Sequence, residues 1–230
     1  MQAVILAGGL ATRLGSLAKT TPKSLVSVAG RPFLEHQLAL LKRAGFTEVL
    51  LCIGYLGEQI RDFAGDGARF GLRLSYAEDG ERPLGTAGAL RQALASLAPE
   101  FLVTYGDSYL PFDYAAPLRD LLAHPEASGT MAVYQNRGRF DASNTEVRDE
   151  RVVRYEKGSR DAALDHIDYG ATALHRDVIA ALEPGLVTGF DRVQTELARA
   201  GTLRALIVTE RFYEIGSPEG LAELERLLTQ

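Results

Sequence analysis

Ala3-Val4-Ile5-Leu6-Ala7-Gly8-Gly9-Leu10-Ala11-Thr12-Arg13-Leu14 is the stretch that decides the fold. An unbroken apolar run leads straight into paired glycines. It reads as a strand over residues 3–6 that ends in a turn whose backbone N–H groups no side chain covers, a geometry that suits a polyphosphate. Further along, Pro22-Lys23-Ser24-Leu25 brings a second cation toward the same place as Arg13. Arg13 and Lys23 supply fixed positive charge, so the segment points to a nucleoside triphosphate cradle.

Working outward, apolar runs alternate with amphipathic stretches. Residues 32–44 read as a helix: Pro32 stands at its start, Phe33, Leu34, Leu38 and Leu41 recur at three-to-four spacing, and Gly45 stops it. Strands are predicted at 48–53, 72–77 and 101–105, and helices at 58–63 and 86–97, the last entered through Gly85. This alternation predicts an α/β fold, a Rossmann-like, mostly parallel sheet flanked by helices. The second half is more mixed. A strand is expected at 130–134, a hairpin from 145–147 and 152–155, strands at 168–174 and 203–209, and helices at 190–200 and 219–228. With no repeat and no linker, residues 1–230 read as a single domain carrying a small β-rich substrate insertion.

The chain of 230 residues is 46% hydrophobic and 24% charged, an ordinary globular composition. A net charge of −5 without a basic tail excludes binding through a phosphate-tracking nucleic-acid surface. The single cysteine, Cys52, sits in an apolar run and reads as a small buried hydrophobe. With no disulfide, no leader-like N-terminus and no stretch long enough to span a bilayer, a soluble cytoplasmic protein is expected, with no membrane partner.

In open α/β sheets ligands gather at the carboxyl ends of the strands. Gly8-Gly9 and Gly106-Asp107 both fall there. Asp107 beside a triphosphate cradle is a natural Mg²⁺ ligand, because Mg²⁺ takes one or two carboxylates plus phosphate oxygens and water. Taken alone, Gly106-Asp107 also fits a plain turn. The P-loop and the dinucleotide glycine pattern are both absent. His36, His124, His166 and His175 lack ligand spacing; His36 lies on a predicted helix and reads as structural.

Leu6 to Leu14, then Thr21-Pro22-Lys23-Ser24-Leu25, then Gly30-Arg31-Pro32, resemble the signature of the sugar-1-phosphate nucleotidyltransferases. Ala11 replaces the third glycine of the usual form. Pro83-Leu84-Gly85-Thr86-Ala87-Gly88 is similar to the family's base-binding turn, Tyr105-Gly106-Asp107 to its metal-binding strand end and Tyr155-Glu156-Lys157 to its sugar-phosphate segment. Tyr213-Glu214-Ile215-Gly216-Ser217-Pro218 resembles its closing motif, with Glu214 where an Asp is usual. The compact length is similar to the small stand-alone bacterial branch with heptose 1-phosphate guanylyltransferases and muramate 1-phosphate uridylyltransferases.

The resemblance implies the nucleotide-diphospho-sugar transferase type of fold and a Mg²⁺-dependent EC 2.7.7 enzyme. NTP and sugar 1-phosphate would give NDP-sugar and pyrophosphate by in-line attack on the α-phosphorus. It implies roles residue by residue. Leu6, Ala7, Gly8, Gly9, Gly85 and Thr86 would line the nucleotide site. Arg13 would neutralise the leaving pyrophosphate, and Lys23 would bridge the α-phosphate and the incoming phosphate. Asp107 with Glu214 would hold the metal. Lys157 would bind the sugar phosphate and Glu156 would accept from sugar hydroxyls, with Asn144, Tyr169 and Gly170 as further sugar-pocket residues. Lys157 equally fits a solvated hairpin end, and Tyr169 equally fits strand packing.

Base, sugar and assembly state stay open, a homo-oligomer included. Two alternatives differ in class: a cytidylyltransferase acting on phosphocholine or another small phosphate, and a non-catalytic nucleotide-sugar-binding regulatory subunit. A quaternary-amine pocket needs clustered aromatic and acidic groups. A regulator would be expected to lack the charged residues that are present here as Arg13, Lys23 and Asp107.

Overall fold

A computed structural model describes residues 1–9, 20–78, 80 and 82–229. Arg13 therefore lies outside the described residues.

The first half supplies β1 (Gln2–Ala7), the small hairpin β2 (Ser27–Val28) and β3 (Arg31–Pro32), α1 (Phe33–Arg43), β4 (Glu48–Ile53), α2 (Gly57–Ala64), β5 (Arg73–Glu78), α3 (Gly85–Gln92) and β6 (Glu100–Tyr105). There follow β7 (Ser108–Tyr109), α4 (Ala116–Ala123), β8 (Gly129–Tyr134), β9 (Thr145–Arg148), β10 (Arg151–Tyr155) and β11 (Ile167–His175). The chain continues through α5 (Arg176–Ala180), α6 (Phe190–Arg199), β12 (Leu203–Val208), β13 (Tyr213–Glu214) and α7 (Pro218–Leu228).

Among the described residues nine strands form one sheet in the order β5-β4-β1-β6-β11-β8-β12-β10-β9. The block β5, β4, β1 and β6 is parallel, and so is the pair β8 and β12. Only β11 and β10 run against the others, which makes the sheet mixed but mostly parallel. Alternate residues of β1 enter different cores. Ala3 and Ile5 pack with Leu34, Leu38 and Leu41 of α1, Ile60 of α2 and Leu118 and Leu121 of α4. Val4 and Leu6 pack with Leu90 of α3, Ile179 of α5 and Phe190 and Val193 of α6. Helices thus cover both faces, which is why the central strands read as continuous apolar runs.

The β-rich stretch is not a separate layer. The β9–β10 hairpin carries the central sheet onward, with β10 antiparallel to β12. Asp149 and Glu150 both take left-handed backbone (φ 49° and 57°), the twist that a two-residue hairpin turn needs. Ala205 N–H donates to the Glu150 carbonyl at 2.8 Å and ties that turn to β12. The sequence reading omits α4 and α5, which are only eight and five residues long, and the two-residue pairs β2–β3 and β7–β13. Pairs that short leave no period in a sequence.

Candidate active site

A cleft of about 340 Å³ opens at the carboxyl ends of β1, β4 and β6. Leu6, Ala7, Gly8 and Gly9 form one wall, Gly85 and Thr86 another, and Lys23, Tyr105, Gly106 and Asp107 complete it. Every nucleotide-binding and catalytic residue singled out in the sequence, Arg13 apart, lines this one cavity. Its position follows from the sheet. Gly106 N–H donates to the Leu6 carbonyl at 3.0 Å, so the β1–β6 ladder runs to the very rim. A Cβ on Gly106 would lie 3.1 Å from Ala7 Cα, a contact so close that glycine is favoured there.

Lys23 and Asp107 face each other across the rim, Nζ to Oδ2 at 2.8 Å. Both side chains are largely withdrawn from water, where charges interact more strongly than on an open surface. The Asp107 loop is held from two sides. Gln37 of α1 donates from its amide to the Tyr105 and Ser108 carbonyls, both at 2.8 Å. Ile215 N–H donates to the Asp107 carbonyl at 3.0 Å, and β13 pairs with β7 so that Glu214 stands opposite Ser108. Glu214 is thus a backbone neighbour of Asp107, although its exposed side chain borders a second hollow of about 350 Å³ with Arg139, Phe140 and Arg211. The described residues contain no group of three or more His, Cys, Asp and Glu placed to hold a metal. Asp107 alone of the two expected ligands brings its carboxylate to the cleft, where hard oxygens beside room for phosphate and water suit Mg²⁺; Glu214 shares the backbone pairing but lines the other hollow.

Gly85 begins α3 in left-handed backbone (φ 74°), and a Cβ there would lie 2.5 Å from the Thr188 carbonyl oxygen. Thr86 Oγ1 accepts from Phe190 N–H at 2.7 Å. The nucleotide-side turn is therefore bonded to the start of α6, and α6 supplies Asp191 and Gln194 to the neighbouring wall.

That wall corrects the sugar-side reading. Tyr169 is 1% exposed and packs edge-on to Phe112 and Phe212 in the core. Glu156 is exposed, and both its carboxylate oxygens accept from an Arg154 fork at 2.8 Å. Tyr155 closes β10 as a buried residue after a bulge between Val152 and Arg154, and Glu156 just past the strand end is exposed. Gly170 (φ 94°) makes a bulge that lets its own N–H reach Asp168 Oδ1 at 2.9 Å. Asn144 holds backbone, its Oδ1 accepting from Asp168 N–H at 2.9 Å.

The group these residues converge on is Asp168, which the sequence reading passed over. Gln194 donates to its Oδ2 at 2.8 Å, and Tyr155 and Lys157 stand near it. Burial pushes its carboxyl above the usual range, against the Gly170 and Gln194 hydrogen bonds and the Lys157 charge. Burial also holds the Tyr105 hydroxyl well above its ordinary value, helped by Asp168, Tyr155, Asp191 and Asp107. Tyr105 thus links the cleft to the acids beside it. The signal for Asp168 was present: a lone carboxylate in an otherwise uncharged run from Ile167 to Leu174. His36, read as structural, bonds through Nε2 to the Val28 carbonyl at 2.9 Å.

A first strand ending in glycines beside an acid-bearing strand end, in a two-sided sheet of this order, is the architecture of the nucleotidyltransferase class. A thymidylyltransferase-like protein of Bacillus anthracis superposes with a TM-score of 0.86 at 19% identity over 99% of this chain and 95% of that one, a likeness of fold. HddC of Yersinia pseudotuberculosis superposes with a TM-score of 0.81 at 25% identity over 99% of each chain. Within that class the chain belongs to the MobA-like NTP transferase domain family, which matches residues 3–207. It is 31% identical over 221 residues to the D-glycero-alpha-D-manno-heptose 1-phosphate guanylyltransferase of Campylobacter jejuni, 95% of this chain and 96% of that one. It is 41% identical to the N-acetylmuramate alpha-1-phosphate uridylyltransferase of Neisseria meningitidis over 127 residues, about half the length of each (55%). These relatives are sugar-1-phosphate nucleotidyltransferases. No helix among the described residues is long and apolar enough to cross a membrane.

Proposed function

We propose that this chain transfers a nucleotidyl group from an NTP to a sugar 1-phosphate, releasing pyrophosphate. The observation that carries this is the Lys23–Asp107 pair at the rim of the glycine-walled cleft. The reaction brings two anions together and needs no covalent enzyme intermediate, so positioning and charge neutralisation are the whole task.

The backbone of Gly8 and Gly9 receives the nucleotide. Lys23 bridges the α-phosphate and the attacking phosphate oxygen. Arg13, a role carried by the family resemblance alone, meets the charge that builds on pyrophosphate. Asp107 would hold Mg²⁺, with Glu214 on the paired strand as the second candidate carboxylate, and the metal would supply Lewis-acid polarisation of the α-phosphate. Lys157 engages the acceptor phosphate, and Asp168 accepts from acceptor hydroxyls. The working compartment is the cytoplasm, where NTPs are made available, and assembly into homo-oligomers is compatible with this role.

The test is pyrophosphate release with Mg²⁺ across the common NTPs, crossed with hexose, heptose, N-acetylhexosamine and N-acetylmuramate 1-phosphates. The panel includes phosphocholine, because Tyr105 and Tyr155 clustered with Asp168 and Asp191 fit the aromatic-acidic pattern of a cationic acceptor. Release with one NTP and sugar 1-phosphate is expected. Release with phosphocholine alone, or NTP binding without any release, would overturn the sugar reading.

A further inference from the structure

We propose that Gln37 is a positioning residue that sets the Asp107 carboxylate for catalysis. The inference rests on the reading of Asp107 as the acid that holds the metal. Gln37 lies on the apolar stripe of α1, between Leu34 and Leu41, where a polar side chain is out of pattern. It is 1% exposed, and its amide nitrogen donates to the Tyr105 and Ser108 carbonyls, both at 2.8 Å. Those two carbonyls flank Gly106-Asp107, so one side chain staples the two ends of the turn that carries the acid. Among the described residues the buried amide oxygen has no hydrogen-bond partner, so the bonds Gln37 makes there are those it donates.

The placement on α1 matters as much as the bonds. The residue before it, His36, pins the Val28 carbonyl in the hairpin that follows Lys23. Consecutive residues of one helix thus hold the loop after Lys23 and the loop of Asp107, and the helix sets the spacing between them. Partners that orient a metal ligand without touching the metal act on affinity and rate in this way.

The experiment compares Gln37→Met with Gln2→Met. Gln2 is also buried, and it also makes two backbone bonds, to Ser96 O and from Ala98 N–H, at the opposite end of β1. Both variants lose a buried amide, so both should melt lower. Only Gln37→Met should lose Mn²⁺ binding, read by electron paramagnetic resonance in the presence of NTP, by roughly 10–100-fold with a matching fall in kcat. The KM for the acceptor should stay within about threefold, because the interaction lost acts on the metal side. Gln37→Leu also removes the donors and sets no charge against the two carbonyls. It should show the same loss, and it carries the test if the methionine variant does not fold. Mn²⁺ binding and kcat equal to those of Gln2→Met would reduce Gln37 to a structural residue and overturn the proposal. Parent protein that turns over normally but whose Mn²⁺ site survives Asp107→Asn would sink the Asp107 reading instead.

Discussion

The ammonium of Lys23 and the carboxylate of Asp107 meet at 2.8 Å although 84 positions separate them in the chain. Lys23 arrives on a short turn before the β2–β3 hairpin, and Asp107 on the turn after β6. The sheet edge and α1, which bonds to the segments beside both, make them neighbours.

Asp107→Asn should reduce Mg²⁺-dependent turnover by about 10²–10³-fold, the scale of losing one preorganised charge contact. Gln37 and Ile215 hold the loop through backbone carbonyls, so circular dichroism and thermal melting should stay close to the parent. Pyrophosphate release near the parent rate would reject the assignment.

At Gly85 a Cβ would combine left-handed backbone with a 2.5 Å approach to Thr188 O. Gly85→Ala should therefore cost about 1–3 kcal/mol in urea unfolding and raise the KM for NTP. Gly158→Ala, also at positive φ (79°) but with nothing within 4 Å of the added Cβ, should cost less and leave that KM alone. Equal effects would mean that Thr188 gives way.

Asp168→Asn should trade activity for stability. Burial raises the folded-state carboxyl of Asp168 above its unfolded value. The unfolded chain therefore gives up this proton first, and stability falls as pH rises from the ordinary carboxylate range through the folded value. Removing the ionisable group should raise the melting temperature at pH 7 and flatten that limb. The Gln194 amide, whose buried oxygen has no partner among the described residues, can turn to receive the new NH₂. The acceptor kcat/KM should drop by about tenfold or more, as when a site loses a hydrogen bond to a substrate hydroxyl. A lower melting temperature at neutral pH would show that the carboxylate form is the one the fold prefers.

Arg204, 7% exposed, takes Asp120 in a fork at 2.8 and 3.2 Å. Burial pushes the Asp120 carboxyl up, yet the Arg204 and Thr130 hydrogen bonds and the nearby charges hold it below its usual range. Its contribution is thus present above the unfolded value and is lost as pH falls through the folded one. Asp120→Asn should cost about 2 kcal/mol at pH 7, less than the ~3–5 kcal/mol of a fully buried pair because Glu150 still faces Arg204. The deficit should shrink in acid, which urea melts at pH 7 and pH 3 would reveal. A pH-independent deficit would point to packing instead.

The central strands were legible because burial on both faces writes a continuous apolar run, as in Val49-Leu50-Leu51-Cys52-Ile53. The cleft was legible because glycines and charges at strand ends carry their meaning locally. The sugar side was not. Whether Asp168 or Tyr169 faces a pocket depends on strand phase, and the bulge at Gly170 resets that phase inside the segment. Glu156 looks like a ligand in Tyr155-Glu156-Lys157, yet Arg154 is a nearer partner on the same exposed face. The β7–β13 pairing, two residues on each side, is set by contacts across the chain that no local pattern encodes.

That pairing has a consequence for synthesis. Residues 213–215 clasp the loop of Asp107 from more than a hundred positions downstream. A growing chain can lay down β1 to β6 early, but its acid-bearing loop acquires this second support only after residue 215 has cleared the ribosome. Long-range pairings of this kind form late. Half-made chains would therefore carry the cradle without its final brace, and turnover becomes a sign that the last strand has arrived.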